Sequence, residues 1–175
     1  EKEQESVTID RQIEGNTIHL LWVEYEYNKP GKLYYRRSAD LGETWDNPIL
    51  IMTQSDSGEL TGSEYRKSMA VSGNTVHIAV TDYNYADNGT GRLYYFRSDD
   101  NGVAFSEGTV IDMIDGYKRI TNSQIRAMGE QVVIAYRKEL YRASELYAAV
   151  STDSGKNFKK NLVDKFDRNT CHHTL

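Results

Sequence analysis

The sequence predicts an all-β chain built from three repeats of a four-stranded antiparallel unit. Three observations carry that prediction. An octet of the form Ser-x-Asp-x-Gly-x-x-aromatic occurs three times, a similar strand pattern precedes each copy, and no stretch shows a helical apolar period. The octets are Ser38-Ala39-Asp40-Leu41-Gly42-Glu43-Thr44-Trp45, Ser98-Asp99-Asp100-Asn101-Gly102-Val103-Ala104-Phe105 and Ser151-Thr152-Asp153-Ser154-Gly155-Lys156-Asn157-Phe158. They recur every 50–60 residues or so, roughly the period of a repeat architecture.

In the first unit, Val7 to Ile13 predicts strand one and Glu14-Gly15-Asn16 a turn. Thr17 to Tyr25 predicts strand two, with the apolar centre Leu20-Leu21-Trp22-Val23, because β-branched and aromatic residues suit a pleated, half-buried surface. Asn28-Lys29-Pro30-Gly31 is a turn cluster. Lys32 to Arg37 is strand three, and Pro48 to Met52, after the octet, is strand four. The second unit repeats the plan with Ser68 to Val71, the turn Ser72-Gly73-Asn74, Thr75 to Val80, a longer loop from Thr81 to Gly91, and the strand Leu93-Tyr94-Tyr95-Phe96-Arg97. The third has Gln124 to Met128, the turn Gly129-Glu130, Gln131 to Tyr136, a loop from Arg137 to Ser144, and Glu145 to Val150. His19 and His77 hold the same register after Gly15-Asn16-Thr17 and Gly73-Asn74-Thr75, so their repetition has a structural explanation rather than a zinc-binding one.

The octet is a chain reversal written in side chains. Its Asp accepts hydrogen bonds from backbone N–H groups further on, its Gly supplies a positive φ, and its aromatic anchors the turn to the sheet beneath. Four short strands in each of three units make three propeller blades, at about 6–54, 63–114 and 119–166 of a single segment 6–175, with 167–175 as the start of a further strand. A propeller needs at least four blades. The partners expected are therefore the remaining blades of a longer chain or a second copy that completes the ring.

The octets resemble the Asp boxes of bacterial sialidases (neuraminidases) and related β-propellers, and the resemblance covers essentially the whole chain. It implies a six-bladed ring in which the box is a peripheral folding element between strands three and four. The box is not a calcium loop, which needs more acidic ligands and a closing Glu. The resemblance also implies where catalysis would lie: over the ring centre, with three arginines on a sugar carboxylate, a Tyr/Glu nucleophile pair and an Asp acid/base, the tyrosine standing where other glycosidases place a carboxylate. Guanidinium forks suit such a carboxylate. Against the family's Arg-Ile-Pro, Arg119-Ile120-Thr121 keeps Arg-Ile, and Arg66-Lys67-Ser68 keeps the Arg. Arg137 is a strand-end Arg whose loop offers Glu139 and Glu145, whereas Asp82 and Asp87 stand in a loop whose strand lacks the Arg. The catalytic candidates are thus Arg66, Asp82, Asp87, Arg119 and Arg137, split across two units and complete in neither. The competing reading makes the arginines solvated cations or interblade ion pairs and the aspartates turn formers.

Net charge −5 excludes a general nucleic-acid binder, which shows a basic face. No apolar run approaches the ~20 residues of a membrane span. Cys171 stands alone, so no internal disulfide is expected, and His172-His173 beside it lacks metal-site spacing. No cofactor or metal is expected, and neither a Ser/His/Asp set nor a Gly-rich phosphate loop can be assigned. Glu1 to Glu5 reads as a solvated start without a signal peptide, as in a mature or excised exported segment, and Asn88-Gly89-Thr90 is a glycosylation sequon or simply a glycine turn. Tyr25, Tyr27, Tyr83, Tyr85, Tyr117 and Tyr141 fall at strand ends or loops as exposed rings. Of these, Tyr83, Tyr85, Tyr117 and Tyr141 are the candidates for stacking on sugar, the alternative being cover for blade edges. The expectation is a noncatalytic recognition or scaffold module of an exported or surface protein, binding glycan or protein. A portion of an exo-sialidase and a purely structural repeat are the alternatives.

Overall fold

A computed structural model of the chain describes residues 9–24, 29–54, 67–84 and 87–167. The expectations placed on Val7, Thr8, Tyr25, Tyr27, Arg66, Tyr85, Cys171, His172 and His173 lie outside the described residues, as does the strand start expected at 167–175 apart from Asp167 itself. The first sheet comprises β1 (Ile9–Glu14), β2 (Thr17–Glu24), β3 (Lys32–Ser38) and β4 (Ile49–Thr53). The second comprises β5 (Lys67–Ser72), β6 (Thr75–Asn84), β7 (Thr90–Ser98) and β8 (Thr109–Ile114). The third comprises β9 (Arg119–Met128), β10 (Gln131–Glu139), β11 (Ala143–Ser151) and β12 (Lys159–Asp167). Each is an antiparallel meander in chain order, and no helix occurs among the described residues. The chain is an all-β partial propeller of three blades.

Two expected loops are largely strand. β6 extends to Asn84 and β7 starts at Thr90, because the ladder continues through Thr81↔Leu93, Asp82↔Arg92 and Tyr83↔Gly91. Likewise β10 extends to Glu139 and β11 starts at Ala143, through Arg137↔Leu146 and Lys138↔Glu145. Buried backbone polar groups must find partners, and strand pairing supplies them where the polar side chains had suggested a loop.

The sheets pack face to face through two apolar layers. Leu21, Val23, Leu33 and Tyr35 of the first sheet meet Met69, Val76, Ile78, Val80 and Phe96 of the second. Ala79, Leu93 and Tyr95 of the second meet Ile125, Val132, Ile134, Tyr136 and Ala149 of the third. The inner strands are tied as well: Asp10 Oδ2 accepts the N–H of Met69 at 2.8 Å, and Ser68 Oγ accepts that of Ile125 at 2.9 Å.

The octets complete this packing. Within each, the Ser hydroxyl accepts the Gly N–H (2.7–2.8 Å) and donates to the Asp carboxylate at 2.7 Å. The residue before each Gly (Leu41, Asn101, Ser154) has φ near 56–59° and donates its N–H to the β1–β2-type turn of its own blade, at Asn16, Asn74 and Glu130 respectively. Those two-residue turns have a positive φ only at the first central position, Gly15, Gly73 or Gly129, the pattern of a type II′ hairpin.

Trp45 lies under Arg36 of its own blade at 5.9 Å, whereas the aromatics of the second and third octets reach the preceding blade. Phe105 packs edge-on against Tyr35 of the preceding blade (4.8 Å between ring centres), and Phe158 packs in the same way against Tyr95 (4.9 Å). The tyrosine hydroxyls abut Gly102 and Gly155 so closely that a Cβ at either glycine would lie 1.9 Å from the oxygen. Each hydroxyl is held from behind by a buried imidazole, Tyr35 by His19 Nδ1 and Tyr95 by His77 Nδ1, both at 2.6 Å. His, Tyr and the next blade's Gly thus form a latch between consecutive sheets.

Gly102→Ala and Gly155→Ala should each destabilise the fold by about 1–3 kcal/mol through overpacking, on top of about 1–2 kcal/mol for a side chain in a left-handed conformation. Gly42→Ala should show only the second effect, since its Cβ would have 3.7 Å to Ile18. Urea denaturation of the three variants checks this.

Burial, with Arg37 or Arg97 nearby, lowers the pKa of His19 and His77 to about 4. The unfolded chain, with imidazole near 6.5, therefore takes up protons first on acidification. The histidine contribution to stability should be complete above pH ~6.5 and lost progressively towards pH ~4. A second loss, below pH ~4, should come from the octet carboxylates. Thermal melts across pH should show the first step, and a His19→Gln/His77→Gln variant should lose it.

Candidate functional site

Hairpin parity sorts the chemistry of each blade to one of two ends. The octets and the type II′ turns share one end. At the other end β2, β6 and β10 finish and β5 and β9 begin, and there the candidates Asp82, Tyr83, Asp87, Tyr117, Arg119, Arg137 and Tyr141 fall. Arg66 and Tyr85 lie outside the described residues.

The structure places these residues differently from the loop constellation expected. Asp82 lies within β6 and is only 3% exposed. Tyr83, expected as an exposed ring, is 6% exposed: the guanidinium of Arg119 sits 5.1 Å above the ring, and the ring's hydroxyl covers Gly89. Asp87 is ion-paired with Arg92 on the surface. The turn that carries Asp87 is fastened to the turn after β8: Thr90 Oγ1 bonds Asp115 Oδ1 at 2.9 Å, and the N–H groups of Gly116 and Tyr117 point to the Asn88 carbonyl. Arg137 is ion-paired with Glu139, which also accepts from Thr121 Oγ1 at 3.3 Å. Two rings remain outward, Tyr117 at 69% exposure and Tyr141 at 84%, the latter under the Arg142 guanidinium at 5.6 Å. Arg119 and Tyr83 therefore come together, as do Arg137 and Glu139. These arginines face an aromatic ring and a carboxylate of their own chain.

The octet aspartates are engaged in their turns. Thr44 and Ser38 bond the Asp40 carboxylate and lower its pKa to about 2. Asn157 and Ser151 lower that of Asp153 in the same way, and the Ala104 N–H and Ser98 that of Asp100. A carboxylate held ionised by that many donors is a structural acceptor and a poor proton donor.

Sequence reasoning missed one cluster. Asp112 on β8 is 6% exposed and accepts from Tyr136 Oη (2.6 Å), Lys138 Nζ (2.7 Å) and Lys160 Nζ (2.9 Å), all on the third sheet. Burial pushes its pKa up, but the bonds from Lys138, Tyr136 and Lys160 outweigh that and hold it below the ordinary value. Tyr136 stacks on Tyr147 at 5.6 Å, and Lys138 lies 4.9 Å above the Tyr147 ring. The only signal was an Asp among apolar neighbours in Val110-Ile111-Asp112-Met113. With two cations and a phenol satisfied by one carboxylate, this is an interblade clamp. A shallow groove of about 480 Å³, between the first two octets and lined by Tyr35, Arg36, Arg37 and Asp46, belongs to the opposite end. There Arg37 donates to the Asp46 carboxylate at 2.6 Å and to the Asn101 carbonyl at 2.9 Å.

No protein-family model and no curated protein matches the chain by sequence. Among solved structures it is similar to a Hadza microbial sialidase, at 15% identity over 90% of this chain and 37% of that one, with a TM-score of 0.63. It is also similar to a PL25 ulvan lyase bound to a GlcA-rhamnose-3-sulfate unit (13% identity, 93% of this chain and 43% of that one, TM-score 0.59). A third similarity is to an α-L-arabinofuranosidase from Fusarium graminearum in complex with an iminosugar inhibitor (15% identity, 93% and 48%, TM-score 0.59). The chain has the fold of propeller glycosidases and spans less than half the length of each of these three.

Asp112→Ala should lower the unfolding free energy by about 3–5 kcal/mol, as expected when one partner of a buried ion cluster is removed. Asp87→Ala, at an exposed ion pair, should lower it by under about 1 kcal/mol. Chemical denaturation of both variants provides the check.

Proposed function

We propose that the chain is a noncatalytic recognition module that binds glycan through the end of the blades opposite the octets. The observation that carries this reading is the division of labour at that end. Arg137, Glu139 and Asp87 are engaged in ion pairs, while Tyr117 and Tyr141 present exposed rings. A tyrosine offers a flat apolar face and a polar tip, the combination that a sugar ring engages. The octets are then Asp boxes of the sialidase type, the blades are about 6–54, 63–114 and 119–166, and the protein works outside the cell or at its surface. The likeness in fold to carbohydrate-active enzymes supports a glycan over a protein ligand. A second reading, part of an exo-sialidase completed by further blades, is favoured by Arg119, which opens the inner strand β9 where the family's Arg-Ile-Pro begins.

Binding is tested by calorimetric titration with 3′-sialyllactose and with an arabino-oligosaccharide. Saturable binding to at least one is expected, with Tyr117→Ala and Tyr141→Ala each weakening it about 5-fold, near 1 kcal/mol per ring. A fluorogenic sialoside should remain uncleaved. Cleavage above background that disappears in Arg119→Ala would transfer the assignment to the enzyme.

A further inference from the structure

At the end opposite the octets, two turns meet beside the junction of the second and third blades. Each contains two consecutive left-handed residues. Asn88 and Gly89 have φ of 49° and 60°, and Gly116 and Tyr117 have φ of 77° and 59°. Glycine adopts this conformation freely and asparagine tolerates it, whereas a bulky side chain there is an outlier. Outside the octets, the non-glycine residues with a positive φ among the described residues are Asn88, Asn122 and Tyr117. Two of the three are asparagine. Tyr117 is the exception, and at 69% exposure its ring gains too little burial to offset the strain.

The neighbouring turn imposes the conformation. The N–H groups of Gly116 and Tyr117 donate to the Asn88 carbonyl at 3.2 and 3.3 Å, and that of Tyr117 also reaches the Gly89 carbonyl at 3.1 Å. Thr90, only 2% exposed, donates its hydroxyl to Asp115 Oδ1 at 2.9 Å and so fastens the two turns a second time. Gly89 is clasped between rings: a Cβ there would lie 2.6 Å from the Tyr117 ring and 2.6 Å from the Tyr83 hydroxyl. The Tyr83 ring lies in turn beneath the Arg119 guanidinium. Arg119, Tyr83, Gly89 and Tyr117 thus form one continuous stack that ends in an exposed ring. Backbone strain persists where the surroundings over-determine it, and such places cluster at functional sites.

We propose that the Asn88–Gly89 turn is a positioning element that holds the Tyr117 ring as a preformed platform, and that this platform takes the C–H face of a pyranose residue. The inference rests on the reading of this end as a glycan-binding one. A ring already fixed in place loses little freedom when a ligand arrives, which is how preorganisation raises affinity. The ring offers a flat apolar face. A pyranose chair presents several C–H bonds on one side, a flat area of matching size, whereas a puckered furanose does not.

The first measurement needs no ligand. Tyr117→Asn removes the ring and keeps a residue that tolerates the turn, so the thermal midpoint should rise by about 2–4 °C. A fall would make the ring a structural element and overturn the proposal. Thr90→Val removes the fastening hydroxyl without enlarging the side chain, and amide exchange at Gly116 and Tyr117 should then quicken. Unchanged exchange would overturn the lock. Calorimetric titration with 3′-sialyllactose and with arabinotriose tests the ligand. Tyr117→Asn and Thr90→Val should each weaken binding of the pyranoside about 5-fold, and the double variant should match Tyr117→Asn to within about 2-fold, as for residues that act as one unit. Arabinotriose should bind the unaltered chain roughly 5-fold more weakly than the pyranoside does. Losses that add in the double variant would overturn the positioning role, and equal binding of arabinotriose would overturn the choice of sugar. Failure of both sugars to bind the unaltered chain would overturn the glycan reading and the pyranose assignment with it, while the midpoint and the exchange rates still decide the lock.

Discussion

The contact on which the rest of the structure depends is the seating of an octet glycine against the tyrosine hydroxyl of the preceding blade. A four-stranded sheet with apolar side chains on both faces cannot bury them alone, so each blade needs its neighbours. Apolar burial contributes most of the attraction, about 1.5–3 kcal/mol for each large side chain withdrawn from water. That attraction is non-directional and does not by itself fix how one sheet lies on the next. The latch supplies direction. A hydroxyl held at 2.6 Å by a buried imidazole, entering a notch that admits no Cβ and flanked by an edge-on phenylalanine, allows one placement.

This arrangement explains why the octet combines such different residues. Ser and Asp serve the turn itself by gathering its N–H groups. Gly serves two masters, the positive φ of the turn and the tyrosine of another blade. In the second and third octets the aromatic packs on the neighbour's tyrosine. A single change can therefore leave the turn intact and still loosen the junction between two blades, and the glycines at 102 and 155 are under a constraint that Gly42 is not. The Asp112 clamp adds a polar tie between the second and third blades, where the apolar layer includes small residues such as Ala79 and Ala149.

The latches lie at the octet end, whereas the Asp112 clamp and the paired turns around Asn88 and Asp115 tie the blades towards the other. Loops held by a stiff scaffold are where binding residues collect, and here the turns around Asn88 and Asp115 are fastened to each other while the Tyr117 ring beside them stays outward. A fold shared with sialidase, lyase and arabinofuranosidase structures does not choose among those activities, because function resides in the site grafted onto the fold.

Much of the fold was legible in the chain itself. The three octets, the repeated Gly-Asn-Thr turns and the alternating strands determined an all-β repeat of four-stranded units, because turn chemistry and period-two patterning are local. The common register of His19 and His77 was visible too, and its structural rather than metal-binding meaning followed from the repetition. What only the tertiary structure decided was everything that depends on two blades at once. Tyr83 read as an exposed loop ring and is buried beneath Arg119. Asp82 read as a loop carboxylate and is part of a ladder. Asp112 carried almost no signal and became the centre of a cluster whose three donors come from two strands of another sheet. Strand periodicity tells which side of a sheet a residue occupies. Only the packing of one sheet on the next tells whether that side faces water, an arginine or a neighbouring tyrosine.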